Sequence, residues 1–346
     1  MNSPQQAPLS LDSLQASRDR LVVSHQGALG DFLLSLPLFD GLARLATHRR
    51  IDFWGRPEIL TVLATKAYLG RIGSCDSSEL TAFFHDELWR QALVPGFFQE
   101  ATGVFIIGQQ QGRILADRLQ HHLSAPVTWV QSFPLDGPPI PVTTYLVEQV
   151  RAAGWPIEYS LPQLSPRDDE VRSVNAWFDR EDWIPPRAPV LIHPGSGGIG
   201  KIWPLQRCWQ LIEWLLSKAK APVLVLLGPA DQIARPLAQS AATMGAYVIT
   251  GVSLSRLAAI ISQCRLFVGN DSGVTHLAAA LGVPTIAVFG PTNPEVWAPR
   301  GPHVQVIQSH WQPSETVSFQ PTIPSESVEA SVLIAVEKAL SGLSPT

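Results

Sequence analysis

Short apolar runs of four or five residues alternate along this chain with longer stretches of helical spacing, and the alternation begins a second time past its midpoint. Runs of that length, apolar throughout and bounded by turn residues, read as strands buried on both faces. Consecutive parallel strands need a crossover, usually a helix, so strand–helix alternation implies parallel sheets flanked by helices. Runs at 21–24, 51–54, 104–107 and 127–130, with helical segments expected at 32–47, 58–69, 112–123 and 143–153, predict a first sheet. Gly154 followed by Pro156 punctuates its end. Runs at 189–192, 223–227, 247–250, 266–268 and 285–289, with a helix opening at Pro204, predict a second. At 346 residues the chain exceeds one ordinary core. The expected organisation is therefore α/β in two Rossmann-like domains: 1–160, a connection or hinge at 161–187 carrying one amphipathic helix with Trp177 and Trp183 beside it, and 188–325.

Composition excludes several classes. Net charge is −4 and no lysine- and arginine-rich track is interleaved with aromatics, so nucleic acid is not an expected partner. Cys75, Cys208 and Cys264 are odd in number and far apart, which indicates neither a disulfide framework nor a zinc site. The first twenty residues lack a basic segment followed by an apolar one, and no apolar run reaches the ~18 residues of a membrane span. A cytoplasmic location is expected, with peripheral contact at the inner membrane left open.

In an open parallel sheet, ligands bind outside the carboxyl ends of the strands, so the residues that follow each strand are the ones to weigh. After the first run come Gly27 and Gly30, then Asp31 at the start of a helix. Asp31 has two readings, a helix-start carboxylate or a general base. After 189–192 comes the small-residue loop from Pro194 to Pro204, in which backbone amides and Lys201 suit an anion. Gly195, Gly197 and Gly200 match the dinucleotide fingerprint literally, but Pro204 starts the helix beyond the last glycine, where the fingerprint packs that glycine inside the first turn. Asp231, after 223–227, suits either a ribose contact or a helix cap. Asp271, Ser272, Gly273, Thr275 and His276 surround another helix start, whose unpaired amides and hydroxyls make a diphosphate site. Asp271 beside a diphosphate is unfavourable, so its carboxylate is expected to reach sugar hydroxyls or to order the loop. His276 reads first as a buried helix residue.

Taken together, the segments GALGDFLLSLP, HPGSGGIGKIWP and GNDSGVTHLAAALGVPTIAVFGPTNPEVW, in that order, resemble glycosyltransferase family 9, the ADP-heptose lipopolysaccharide heptosyltransferases. The resemblance runs from about Leu21 to Gly301. It implies a GT-B fold of two Rossmann-like domains facing a cleft, the acceptor held by the first and the donor by the second, with a last helix over 328–340, within 326–346, crossing back to the N-terminal domain. It implies inverting transfer with no metal and no cofactor beyond a nucleotide diphosphate sugar, expected to be ADP-heptose, to a lipopolysaccharide-core or related glycan or glycolipid acceptor. On that resemblance Asp31 is the acceptor base, Ser196 and Lys201 contact donor phosphate, Ser272 and Gly273 form the diphosphate turn, and Asp271 lies near the transferred sugar. Rival readings are a nucleotide-sugar epimerase, which needs further acid/base residues; a dinucleotide-dependent oxidoreductase; and a non-catalytic sugar-nucleotide-binding relative.

Overall fold

The computed structural model describes residues 20–45, 50–179, 188–321 and 328–342. The chain forms two compact units, Met1–Ser160 and Leu161–Thr346. In the first, strands β1 (Arg20–His25), β2 (Arg50–Gly55), β3 (Leu69–Ser74), β4 (Gly103–Ile107) and β5 (Val127–Val130) form one sheet of order β3-β2-β1-β4-β5. Every pairing is parallel, with Leu21 opposite Ile51 on one side and Gly103 on the other. The expected helix over 32–47 is two helices, Leu29–Leu34 and Leu36–Arg44, because Pro37 can open a helix but not continue one; residues 46–47 lie outside the described residues.

The helix expected over 58–69 is corrected. The segment holds only the short helix Pro57–Leu60 and a 3-10 turn at Thr61–Leu63, before the edge strand β3. Two glycines admit that strand. A side-chain carbon at Gly70 would lie 2.2 Å from the Asp52 carboxylate, and one at Gly73 2.3 Å from the Trp54 ring.

In the second unit, β6 (Val190–His193), β7 (Val223–Leu227), β8 (Tyr247–Thr250), β9 (Leu266–Asn270), β10 (Thr285–Phe289) and β11 (Val304–Gln308) form a parallel sheet of order β11-β10-β9-β6-β7-β8. The interior strands β6, β7, β9 and β10 are buried at every position. The first sheet as written, and the second read from its other edge, follow the doubly wound order in which the first strand lies beside the fourth, so each has a topological switch point there. The amphipathic helix expected in the connection is Asp168–Phe178, which packs on the helix Leu254–Ser262. Residues 180–187, with Trp183, lie outside the described residues.

The last helix is Ala330–Ser341. It packs against β10 and β11, and Val332, Ala335 and Val336, at helical spacing, are buried in the core that holds Val190, Leu205 and Leu266. Those three side chains are thereby buried within the second unit, while Ile334 is 64% exposed. Just before it, Glu329 accepts hydrogen bonds from Trp203 Nε1, Ser309 Oγ and Arg207 Nη1 at 3.0, 3.0 and 3.2 Å.

Candidate active site

In the second unit the loops that leave β6, β7, β9 and β10 at their carboxyl ends converge on the switch point between β6 and β9. The loop after β6 crosses over β9. Asn270, the last residue of β9, donates to the carbonyls of Pro194 and Gly195 at 2.8 and 3.0 Å and accepts from the Trp203 amide at 3.1 Å. Ser196 Oγ donates to the Asp271 carbonyl at 2.7 Å, and Trp311 Nε1 donates to the Gly200 carbonyl at 3.1 Å. These bonds pin both ends of the glycine-rich segment, so Lys201 is delivered to one place: its Nζ lies 2.8 Å from Asp271 Oδ2. The same oxygen accepts from Thr292 Oγ1, beyond β10, at 2.8 Å. The Lys201 side chain is 38% exposed and Asp271 is buried, so the ammonium borders solvent while its partner does not.

Ser272 is the N-cap of the helix Gly273–Ala280 and accepts from the Thr275 amide. The first helical amides, Gly273 and Val274, belong to the set a helix leaves without carbonyl partners. His193, at the end of β6, stands behind this cap. Its Nδ1 is 3.2 Å from Ser272 Oγ and its Nε2 2.9 Å from Asp231 Oδ2, which also accepts from the Gly228 amide at 2.6 Å. Burial pushes the Asp231 carboxyl up, but the His193 hydrogen bond and charge and the Gly228 amide outweigh it, and the net shift is downward. Gly195 makes room for this pair, since a side-chain carbon there would lie 1.8 Å from Asp231 Oδ1. The glycine that suggested close approach to a phosphate clears space for a carboxylate instead. His276 is buried in the same helix, and desolvation takes it down to about 4, so the ring is neutral near pH 7.

In the first unit, Asp31 sits in the first turn of the helix Leu29–Leu34 and lines a cavity of 280 Å³ at the carboxyl ends of β1, β4 and β5. Gln26, Gly27, Gln109 and Ser132 line it too. Gly27 has to be small, because a side-chain carbon there would lie 2.8 Å from His25 Cε1 and 3.0 Å from Asp31 Cβ. Gly30 falls inside the helix and not in the loop. His25 is buried, its Nδ1 accepts from the Gly27 amide at 3.2 Å, and its solvent-inaccessible Nε2 has no hydrogen-bond partner among the described residues. Burial takes this ring down to about 4 as well.

Of the residues singled out in the sequence, Ser196, Lys201, Asp231, Asp271, Ser272, Gly273, Thr275 and His276 therefore gather around the loops after β6, β7 and β9, while Asp31, Gly27 and Gly30 form a separate group in the first unit. Asp231 turns to His193, not outward as a ribose contact would. Sequence reasoning passed over His193, Asn270, His25 and Gln109. The signal for the histidines was present, since both first strands end in an imidazole two residues before a glycine, His25-Gln26-Gly27 and His193-Pro194-Gly195. Among the described residues, no group of three or more His, Cys, Asp or Glu is arranged to hold a metal ion. No described helix is long and apolar enough to cross a membrane.

Residues 118–324 match the sequence profile of Glycosyltransferase family 9 (heptosyltransferase). The chain is 30% identical over 159 residues to lipooligosaccharide heptosyltransferase 2 of Haemophilus ducreyi, covering 43% of this chain and 45% of that protein. It is 23% identical over 295 residues to lipopolysaccharide heptosyltransferase 3 of Escherichia coli, covering 78% and 83%. The chain thus spans less than half the length of the first of these relatives. Its fold is similar to that of E. coli ADP-heptose lps heptosyltransferase II, with a TM-score of 0.69 at 17% identity, covering 94% of this chain and 99% of that one.

Proposed function

This chain belongs to glycosyltransferase family 9, and from that membership we propose that it transfers a heptose from ADP-heptose to a hydroxyl of a lipopolysaccharide-core or related glycan, with inversion, with Asp31 as general base and with no bound metal. The observation that carries the reading is the cluster after β6 and β9, in which Lys201 and a serine-capped helix start lie side by side. A cation on a short leash next to unpaired helix amides suits a diphosphate. In the proposed step, Asp31 takes the proton of the acceptor hydroxyl while its oxygen forms a bond to the anomeric carbon. The bond from that carbon to the diphosphate oxygen breaks, and the electron pair leaves with ADP. Lys201 and the amides of Gly273 and Val274 stabilise the charge that builds on the leaving group. Ser196 and Thr275 hold the loop and the cap, and Asp271, together with Thr292, faces the transferred sugar. Fixed cationic and amide groups supply here what a divalent ion supplies elsewhere.

The relatives' names support the sugar and the acceptor: they are named for heptose transfer in lipopolysaccharide and lipooligosaccharide synthesis, and the solved neighbour is named for ADP-heptose. The same reading sets the reaction in the cytoplasm with peripheral contact at the inner membrane.

Calorimetric titration with ADP, UDP, GDP and ADP-heptose, without added metal, tests the donor site. ADP and ADP-heptose are expected to bind and Lys201→Ala to weaken both by at least about tenfold, the worth of one charge-assisted contact. Asp31→Asn is expected to keep ADP binding and lose roughly 10²–10⁴ in turnover, the usual contribution of a general base. A chain that binds no nucleotide would not be a transferase of this kind.

A further inference from the structure

We propose that the cavity of the first unit receives an uncharged, polyhydroxylated sugar ring, so that the acceptor presents a neutral hydroxyl face there and not a phosphate or a carboxylate. The inference rests on the proposed transferase function with Asp31 as base, and it narrows the acceptor that this function implies.

The lining carries it. Ser24, Gln26, Gln109, Gln111 and Ser132 supply uncharged amides and hydroxyls, and among the described lining residues there is no lysine or arginine. Amides and hydroxyls both donate and accept, as the hydroxyls of a sugar do. The amide nitrogen of Gln109 is already spent on Ser132 Oγ at 3.0 Å and the Phe133 carbonyl at 3.1 Å, which leaves its carbonyl oxygen to accept. With the Asp31 carboxylate in the same lining, the cavity carries an acidic group and no described lysine or arginine, which suits a sugar hydroxyl better than an anion. Cations nearby in sequence are committed elsewhere. Arg113 lies over the Trp129 ring at 5.4 Å, and Arg118 donates to the Phe83 carbonyl and to Asp86 at 2.8 and 2.6 Å.

Phe84 and Phe133 bring aromatic surface to the same cavity, suited to the apolar face of a pyranose ring. A volume of 280 Å³ lies just below the ~300–1,000 Å³ usual for ligand sites, which fits one ring rather than several.

The test uses the full chain and saturation-transfer NMR with titration. The probes are the methyl glycosides of glucose, galactose, mannose and heptose, each set against its terminal phosphate and its uronic or heptonic acid. At least one methyl glycoside is expected to bind, about tenfold or more tighter than its charged counterparts. Gln109→Ala should weaken it several-fold, and Asp31→Asn should narrow the gap between neutral and anionic probes. Gln111→Ala, at an exposed position, gives the same reading if Gln109→Ala does not fold. Phosphates or acids that bind as tightly as the neutral glycosides would overturn the proposal, as would a chain that binds none of the glycosides. Titrating ADP into the same samples separates the two readings. ADP binding without any glycoside binding defeats the cavity proposal alone, while glycoside binding without ADP binding defeats the donor reading alone.

Discussion

His193 bridges two loops, its Nε2 2.9 Å from Asp231 Oδ2 and its Nδ1 3.2 Å from Ser272 Oγ. Ser272 also accepts from the Thr275 amide, which is what an N-cap must do. A carboxylate on one loop is thus tied to a hydroxyl on another, through an imidazole that need never touch a ligand. Asp231→Ala is expected to cost about 1–3 kcal/mol of stability, because it leaves a buried ring nitrogen without its partner. The same substitution should weaken ADP binding several-fold through the loosened cap. Urea midpoints and ADP titrations on the variant check both, and a variant matching the parent in both would remove His193 from the site. Ser272, Gly273 and Thr275 were legible because capping chemistry is local and written within four residues. His193 was legible only as a strand-end imidazole ahead of a glycine; its role was not, because it is defined by Asp231, 38 residues away.

The same contrast between local and distant determinants separates the strands. The interior strands of the second sheet, buried at every position, announce themselves as continuous apolar runs. β3 and β11 are edge strands, half-exposed and built with Gly70 and Gly73 or with Gln305 and Gln308, and nothing in their spacing separates them from loops. What holds β3 in register is an ion cluster that only the fold assembles. Asp52, fully buried in β2, accepts from Arg20 Nη1 and Arg71 Nε at 2.8 Å each and from the Arg71 amide at 2.6 Å. Asp52→Ala strips two arginines of their shared anion and the Arg71 amide of its acceptor. The expected loss is about 3 kcal/mol, the low end for a broken buried pair because Arg20 and Arg71 are 33% and 41% exposed. Gly70→Ala should act in the same direction, since its new carbon would displace that carboxylate. Denaturant unfolding of the two variants reads this, and a loss below about 0.5 kcal/mol in both would mean that β3 is held by backbone pairing alone.

Each unit also buries one imidazole that it keeps neutral, His25 in the first and His276 in the second, both taken down to about 4 from 6.5 mainly by desolvation. Neither ring can take up a proton without breaking its surroundings, whereas the unfolded chain binds one readily below its ordinary pKa. The unfolded state therefore holds more protons than the native state between about 6.5 and 4, and stability must fall as pH drops through that window. At 1.36 kcal/mol per unit of pH, each ring should cost its own unit about 2 kcal/mol between pH 6.5 and about pH 5. Asp231 and Glu329, both held below their ordinary values of 3.8 and 4.5, keep their contribution until the pH falls lower still. The two losses should thus be separable, histidines first and carboxylates after. Hydrogen exchange on β1 and β9 peptides across this range should show both units losing protection, and His276→Gln should flatten the profile of β9 while leaving that of β1 steep. Because the imidazoles sit in separate cores, a substitution that flattened both profiles would mean that the two units unfold as one, and a flat profile in the parent would mean that water reaches both rings.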